Sequence, residues 1–261
     1  GDECLTIEPK FQDKLREKIL EAKTKNFSLE LQQLNLKEIP QEIPQEVSGS
    51  ETLKMELVLA LRRAGVTDPD VVATMERVPR EVFVPDAFKD RSYEDITLPI
   101  GHHQTLSQPA VVGLMTEALE LDDRKKVLEV GTGSGYQTAI LSPLCRRVYT
   151  IERHAPLLEQ AEKRFEELRI RNVTAKVGDG TLGWDAQAPF ERIIVTAAAA
   201  DIPPILAEQL SPGGIMIVPI GGLNDDFQTV LKVVKTPHGL ETQELRDVRF
   251  VPLIPAEATG T

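Results

Sequence analysis

Cysteine is nearly absent from this 261-residue chain, which has two, Cys4 and Cys145. Two thiols so far apart supply neither a disulfide framework nor a metal cage, so no metal site is expected. A reducing, cytoplasmic setting is expected instead. Long apolar runs are missing too. None approaches the roughly 18 residues that cross a bilayer, so no membrane role is expected, and nothing at the start reads as a signal peptide. Gly1, where an initiator Met would stand, suggests a trimmed or processed chain. Positive charge is in deficit: 30 Lys+Arg face 41 Asp+Glu, a formal charge of −11. Phosphate backbones are held by clustered positive charge, so nucleic acid is not the expected partner. What remains is 41% apolar and 27% charged, ordinary for a folded soluble chain and long enough for one large domain plus an appendage.

The first fifty residues read apart from the rest. "PKFQDKLREKILEAKTKN" puts Phe11, Leu15, Ile19 and Ala22 at helical spacing. "LQQLNLKEIPQEI" has the look of one leucine-rich repeat, but a single copy cannot bury its own face. Residues 1–50 are therefore expected to be an extension, partly flexible, ahead of a domain over 51–261. Residues 51–108 form its helical opening. "ETLKMELVLALRRAG" predicts a helix stopped at Gly65, and "TDPDVVATMERV" a second with Thr67 or Asp68 as N-cap and Pro69 in its first turn. Over 109–261 helices and strands alternate. Helices are expected at 109–121, 136–144, 156–170 and 203–210, and strands at 126–130, 147–151, 173–177, 192–195 and 214–219. Such alternation predicts a doubly wound, mostly parallel α/β sheet. "FQTVLKVVK" and "ETQELRDVRFVPL" around "TPHG" add antiparallel edge strands.

In "VLEVGTGSGYQTAIL" a buried strand runs into Gly131, Gly133 and Gly135 and then into a helix. Glycines there let the backbone turn and approach a ligand. The next strand ends in Glu152, an acid placed to accept from both hydroxyls of a ribose. An adenosine-type ligand follows, and two remain open. The dinucleotide pattern G-x-G-x-x-G wants a third glycine where this chain has Tyr136. Glu129, beside the loop, suits an amino group or sulfonium better than a pyrophosphate. S-adenosyl-L-methionine is favoured on those grounds over NAD. Thr132, Ser134 and Arg153 join the expected cofactor contacts. In "VGDGTLGW", Asp179 is expected to accept from the adenine amino group, with Gly180 leaving room for the ring, although an Asp-Gly turn explains the pair as well. Thr196 ends a strand beside the loop. Ala197–Ala200 after it read equally as a cleft floor or a helix start. His102 and His103 are adjacent, a poor spacing for a shared metal, and are expected in a loop at the mouth of the site. His154 and His238 read as surface residues. Ser107 precedes Pro109 and a helix start, whose free amides would help its hydroxyl cradle an anion; a plain N-cap is the rival account. Thr105 is a candidate helper.

The segments "VPREVFVP", "LPIG", "QTLSQP", "VLEVGTGSGYQTAIL", "GDG", "APFERIIVTAA", "LSPGG" and "VRFVPL" occur in that order. Together, over roughly 51–255, they resemble the protein-L-isoaspartate O-methyltransferase family. The extension and His103 depart from the family pattern. The resemblance implies a Rossmann-like fold, S-adenosyl-L-methionine as methyl donor and S-adenosyl-L-homocysteine as product. It implies damaged proteins and peptides as partners, with methylation of the free α-carboxylate of L-isoaspartyl residues as the first step of repair through a succinimide. It also implies Ser107 as the catalytic position, and Arg249 and Val251 folding over the substrate. A monomer is expected. An NAD oxidoreductase, or a non-catalytic interaction protein that kept the fold, are the rival functions.

Overall fold

The computed structural model describes residues 49–222 and 227–255. The chain divides into units Gly1–Val47 and Ser48–Thr261, and everything below concerns the second. The helix and repeat-like fragment expected within 1–50 lie outside the described residues.

Helix α1 (Gly49–Arg63) and helix α2 (Pro69–Arg77) open the fold. Asp68 is the α2 N-cap: its Oδ1 accepts from the amides of Asp70 and Val71 at 2.8 and 3.1 Å, worth about 1 kcal/mol. Thr67, the other candidate, instead donates its hydroxyl to Glu117 at 2.6 Å. Two 3-10 turns (Arg80–Phe83, Asp86–Arg91) follow. They lead to a hairpin not foreseen from the sequence: β1 (Leu98–Gly101) pairs antiparallel with β2 (Gln104–Leu106). His102 and His103 make its turn at φ 50° and 56°, a left-handed conformation uncommon outside glycine.

The remaining elements are helices α3 (Pro109–Ala118), α4 (Tyr136–Leu141), α5 (Ala155–Glu167) and α6 (Pro204–Glu208), interleaved with strands β3 (Lys126–Val130), β4 (Arg147–Glu152), β5 (Val173–Val177), β6 (Phe190–Val195) and β7 (Leu210–Ile220). Strands β8 (Gln228–Thr236) and β9 (Gly239–Val248) close the fold. The sheet order is β5-β4-β3-β6-β7-β8-β9. The first five strands pair in parallel, and β8 and β9 add antiparallel, as expected. Strand β3 is apolar on one face with Leu128 and Val130, and those side chains pack with Ile151, Ile193 and Met216 in one core cluster. Helix α5 buries Leu157, Leu158, Ala161 and Phe165, the face read from the sequence. The chain order reverses on either side of β3, and the crevice at the carboxyl end of such a strand is where open α/β sheets bind ligands.

Most element ends shift by a few residues, the largest being the strand expected at 214–219, which runs Leu210–Ile220, and the helices expected at 136–144 and 156–170, which end at Leu141 and Glu167. The helix over 109–121 stops at Ala118, where Arg192 donates to the carbonyls of Leu119 and Glu120. Ala197–Ala200 start no helix: Ala198 and Ala199 bridge to Pro252 and Ile220. The last strand ends at Val248, and residues 249–254 leave the sheet.

Candidate active site

One cavity opens at the carboxyl end of β3. Its wall brings together Thr105, Ser107, Gly131, Thr132, Gly133, Ser134, Glu152, Arg153, Gly180, Thr196 and Val251. Glu129, Asp179 and Arg249 are not on that wall.

The loop after β3 is shaped by close approach. Gly131 has φ 97°, and a Cβ there would stand 2.3 Å from Thr196 Oγ1. That hydroxyl instead donates to the Gly131 carbonyl at 2.7 Å, with the Val130 carbonyl at 3.0 Å. Thr196 thus closes the loop against β6. Gly180 is needed by the protein as well as by any ligand, because a Cβ would meet Val130 Cγ1 at 2.4 Å.

Glu152 is nearly buried, with 5% of its surface exposed. Its Oε2 accepts from the Gly133 amide at 2.8 Å and its Oε1 from the His154 amide at 2.9 Å. Each carboxylate oxygen has capacity for a further hydrogen bond. An oriented acid on the wall, with one amide fixing each oxygen, can accept from a pair of vicinal hydroxyls. Arg153 reaches the Ile254 carbonyl at 3.5 Å, and the Ser134 carbonyl accepts from Arg164 at 3.0 Å.

Glu129 needs correction. Its side chain is fully buried behind the loop, accepting at Oε2 from the hydroxyls of Thr138 and Thr150. Thr150 is in turn hydrogen-bonded to Thr132 at 2.6 Å. Burial raises the Glu129 pKa from its ordinary 4.5 to about 8; the two hydroxyls oppose this and the Glu152 charge adds to it. It therefore caps no backbone amide among the described residues, and its Oε1 is buried without a hydrogen-bond partner. It is the end of a buried chain of hydroxyls under the loop. Asp179 also differs: its Oδ1 accepts from the Thr181 amide and hydroxyl at 2.8 and 2.6 Å, capping the turn Gly180–Leu182. These are the contacts that the plain Asp-Gly turn predicts.

On the opposite wall, β2 delivers Thr105 and the chain continues to Ser107. Ser107 is not the cap of α3. Gln108 occupies that position without a side-chain cap, and the first free amide, Ala110 N, donates to Asp95 Oδ1 at 2.9 Å. Asp95 thus occupies the first amide of the expected helix-start cradle, and Ser107 lines the cavity from a loop. Its carbonyl is held by Arg80 at 2.9 Å, a residue that went unnoticed because an arginine in "VPREVFVP" reads as surface charge. His103 lines the mouth, and His102 stacks on His154 with ring centroids 5.5 Å apart; His154, half-buried, is less of a surface residue than expected.

The segment after β9 covers the cavity. Ala198 N donates to the Val251 carbonyl at 2.8 Å, and Leu253 N to the Ala198 carbonyl at 2.7 Å. Phe250 through Ile254 all line the wall. Arg249, expected among them, packs over the Phe227 ring at 4.9 Å. Met115, Gln137 and Ile100 also line the wall, and no local motif in the sequence marks them.

Comparisons with known proteins show what the chain is similar to. The sequence profile of the protein-L-isoaspartate(D-aspartate) O-methyltransferase family matches residues 51–258. The protein-L-isoaspartate O-methyltransferase of Paramagnetospirillum magneticum is 53% identical over 205 residues, 78% of this chain and 96% of that one. That of Paracoccus denitrificans is 57% identical over 201 residues, covering 77% and 93%. A solved protein-L-isoaspartate O-methyltransferase superposes with a TM-score of 0.69 at 29% identity, covering 76% of this chain and 65% of that one. A β-aspartate methyltransferase from Plasmodium falciparum in complex with S-adenosyl-L-homocysteine superposes at 0.64 with 25% identity, covering 76% and 97%. The chain belongs to the protein-L-isoaspartate(D-aspartate) O-methyltransferase family.

Proposed function

We propose that this protein transfers the methyl group of S-adenosyl-L-methionine to the free α-carboxylate of L-isoaspartyl residues in damaged proteins and peptides. Collapse of the ester to a succinimide then begins repair. The observation that carries the reading is that the glycine loop, Glu152 and Ser107 line one cavity.

The residues present fit the methyl donor. Arg153 is the one Arg or Lys on the described wall, which suits a ligand without phosphates. Glu152 would take the ribose hydroxyls. Gly131, Thr132, Gly133 and Ser134 would follow the rest of the ligand, Gly180 would lie beside the ring, and Thr196 would hold the loop in shape. When bound, the donor supplies an electrophilic methyl on a sulfonium. The acceptor needs no base, because an α-carboxyl with an ordinary pKa of about 3.5 is an anion at neutral pH. The protein's task is to orient that anion and exclude water. Ser107 would donate its hydroxyl to the carboxylate, a charge-assisted bond contributing about 1.5–3 kcal/mol. Thr105 and Val251 would flank it, with the strap of residues 250–254 shedding water. Fixing two reactants in this way can be worth effective molarities of about 10⁵ M or more. We assign residues 51–261 to this catalytic domain.

Calorimetric titration with S-adenosyl-L-homocysteine tests the donor half. Wild-type protein should bind one equivalent, and Glu152→Ala should weaken binding by about tenfold or more. Unchanged affinity in that variant would remove Glu152 from the site.

A further inference from the structure

Arg80 takes no part in the chemistry above, yet it is among the largest fully buried side chains of the described residues. Its Nε donates to the Ser92 carbonyl at 2.7 Å. Its Nη2 donates to the Ser107 carbonyl at 2.9 Å, with the Ile96 carbonyl at 3.5 Å. Its Cζ lies 4.7 Å from the centroid of the Tyr136 ring. Tyr136 is a lining residue at the start of the helix that follows the glycine loop, and its fully buried ring meets Phe83 edge-to-face at 5.4 Å. One guanidinium therefore touches both the backbone of the substrate wall and a ring packed behind the donor wall.

The arrangement is costly as plain packing. Burying a cation costs several kcal/mol unless it is well compensated. Among the described residues no carboxylate forms an ion pair with Arg80, and its Nη1 has no hydrogen-bond partner. Burial accordingly lowers its pKa from the ordinary value. A Met or Leu would fill the space without that cost. What the guanidinium supplies is a rigid fork that gathers carbonyls 12 to 27 residues away in sequence.

We propose that Arg80 is a positioning residue for methyl transfer, fixing the backbone of Ser107 against the wall that carries Tyr136. The proposal rests on the assignment of Ser107 as the residue that holds the substrate carboxylate. Displacing such a hydroxyl by about 1 Å is enough to cost up to roughly a hundredfold in rate. A lysine keeps the charge but not the planar, multi-donor fork.

The test is steady-state methylation of an isoaspartyl peptide by wild-type protein and Arg80→Lys, with S-adenosyl-L-homocysteine affinity measured alongside. Arg80→Lys should lower kcat by roughly ten- to hundredfold while donor-product affinity and peptide KM stay within about twofold. In Arg80→Ala, added ethylguanidinium should restore part of the lost kcat in a saturable way. Wild-type kcat in Arg80→Lys would overturn the proposal. So would a parallel loss of kcat and ligand affinity, or failure of both variants to fold, each of which assigns Arg80 to stability alone. Absence of methyl transfer by the wild-type protein would instead bring down the reading of function on which the proposal stands, and the proposal with it.

Discussion

The two walls of the cavity are built on opposite principles. The donor wall is made of backbone turns at the ends of parallel strands: Gly131, Glu152 and Thr196 stand at the ends of β3, β4 and β6, where Thr196 donates to the Gly131 carbonyl and Glu152 accepts from the Gly133 amide. The substrate wall comes from connecting segments, a short hairpin and the strap after β9. Those segments are fastened by a few long-range contacts: Arg80 to Ser107, Asp95 to Ala110, Ala198 to Val251 and Leu253, and Phe250 to Gln228 of β8. The difference teaches that the donor site is a property of the sheet, whereas the acceptor site is a property of a few fasteners.

Substitutions can break that comparison at several points. The largest effect is expected on the donor wall. Gly131→Ala combines a left-handed φ with a Cβ 2.3 Å from Thr196 and should cost roughly 2–5 kcal/mol. Urea unfolding should show the loss and calorimetry a matching loss of S-adenosyl-L-homocysteine binding. Next, Ser107→Ala should lower turnover about ten- to hundredfold with donor-product affinity and unfolding midpoint unchanged; wild-type turnover would reduce Ser107 to a loop residue.

A comparable effect, spread over pH, belongs to the buried carboxyl under the loop. Glu129 has a pKa raised to about 8 in the fold against an ordinary 4.5, so between those values the folded protein binds more protons than the unfolded chain. Its contribution therefore weakens as pH rises through that window, by about 1 kcal/mol per pH unit, and levels off above about 8. Glu129→Gln does not titrate, so the stability difference between the two proteins should slide at that rate from pH 5 to 8, about 3–4 kcal/mol in all. Parallel pH profiles would show that Glu129 stays ionised. The smallest effect is expected from shortening the chain to 48–261, which should leave peptide methylation unchanged; a clear loss of turnover would show that the extension serves the site.

The same comparison explains what could be read in the sequence. The donor wall was legible because its signals are local: three alternate glycines after an apolar run, and an acid at the end of the next strand. The alternation that produced the sheet was legible for the same reason. Glu129 was recognisable as an acid beside the loop, but its surroundings are set by Thr138 and Thr150, brought in by α4 and β4. Asp95 took the first amide of the helix start expected to serve Ser107, a contact across fifteen residues of irregular chain. Arg249 and Val251 are two residues apart in a segment expected to be strand, and the break at Val248 sends Val251 to the wall and Arg249 to Phe227. Arg80 gave no local sign at all, because only the folded chain collects the carbonyls it binds.

The most direct measurement uses two peptides that differ only in whether one aspartyl residue is linked through its side chain. With labelled S-adenosyl-L-methionine, the protein should methylate the isoaspartyl peptide and leave its aspartyl twin unlabelled. Equal labelling of both, or of neither, would contradict the assignment of the cavity to a free α-carboxylate.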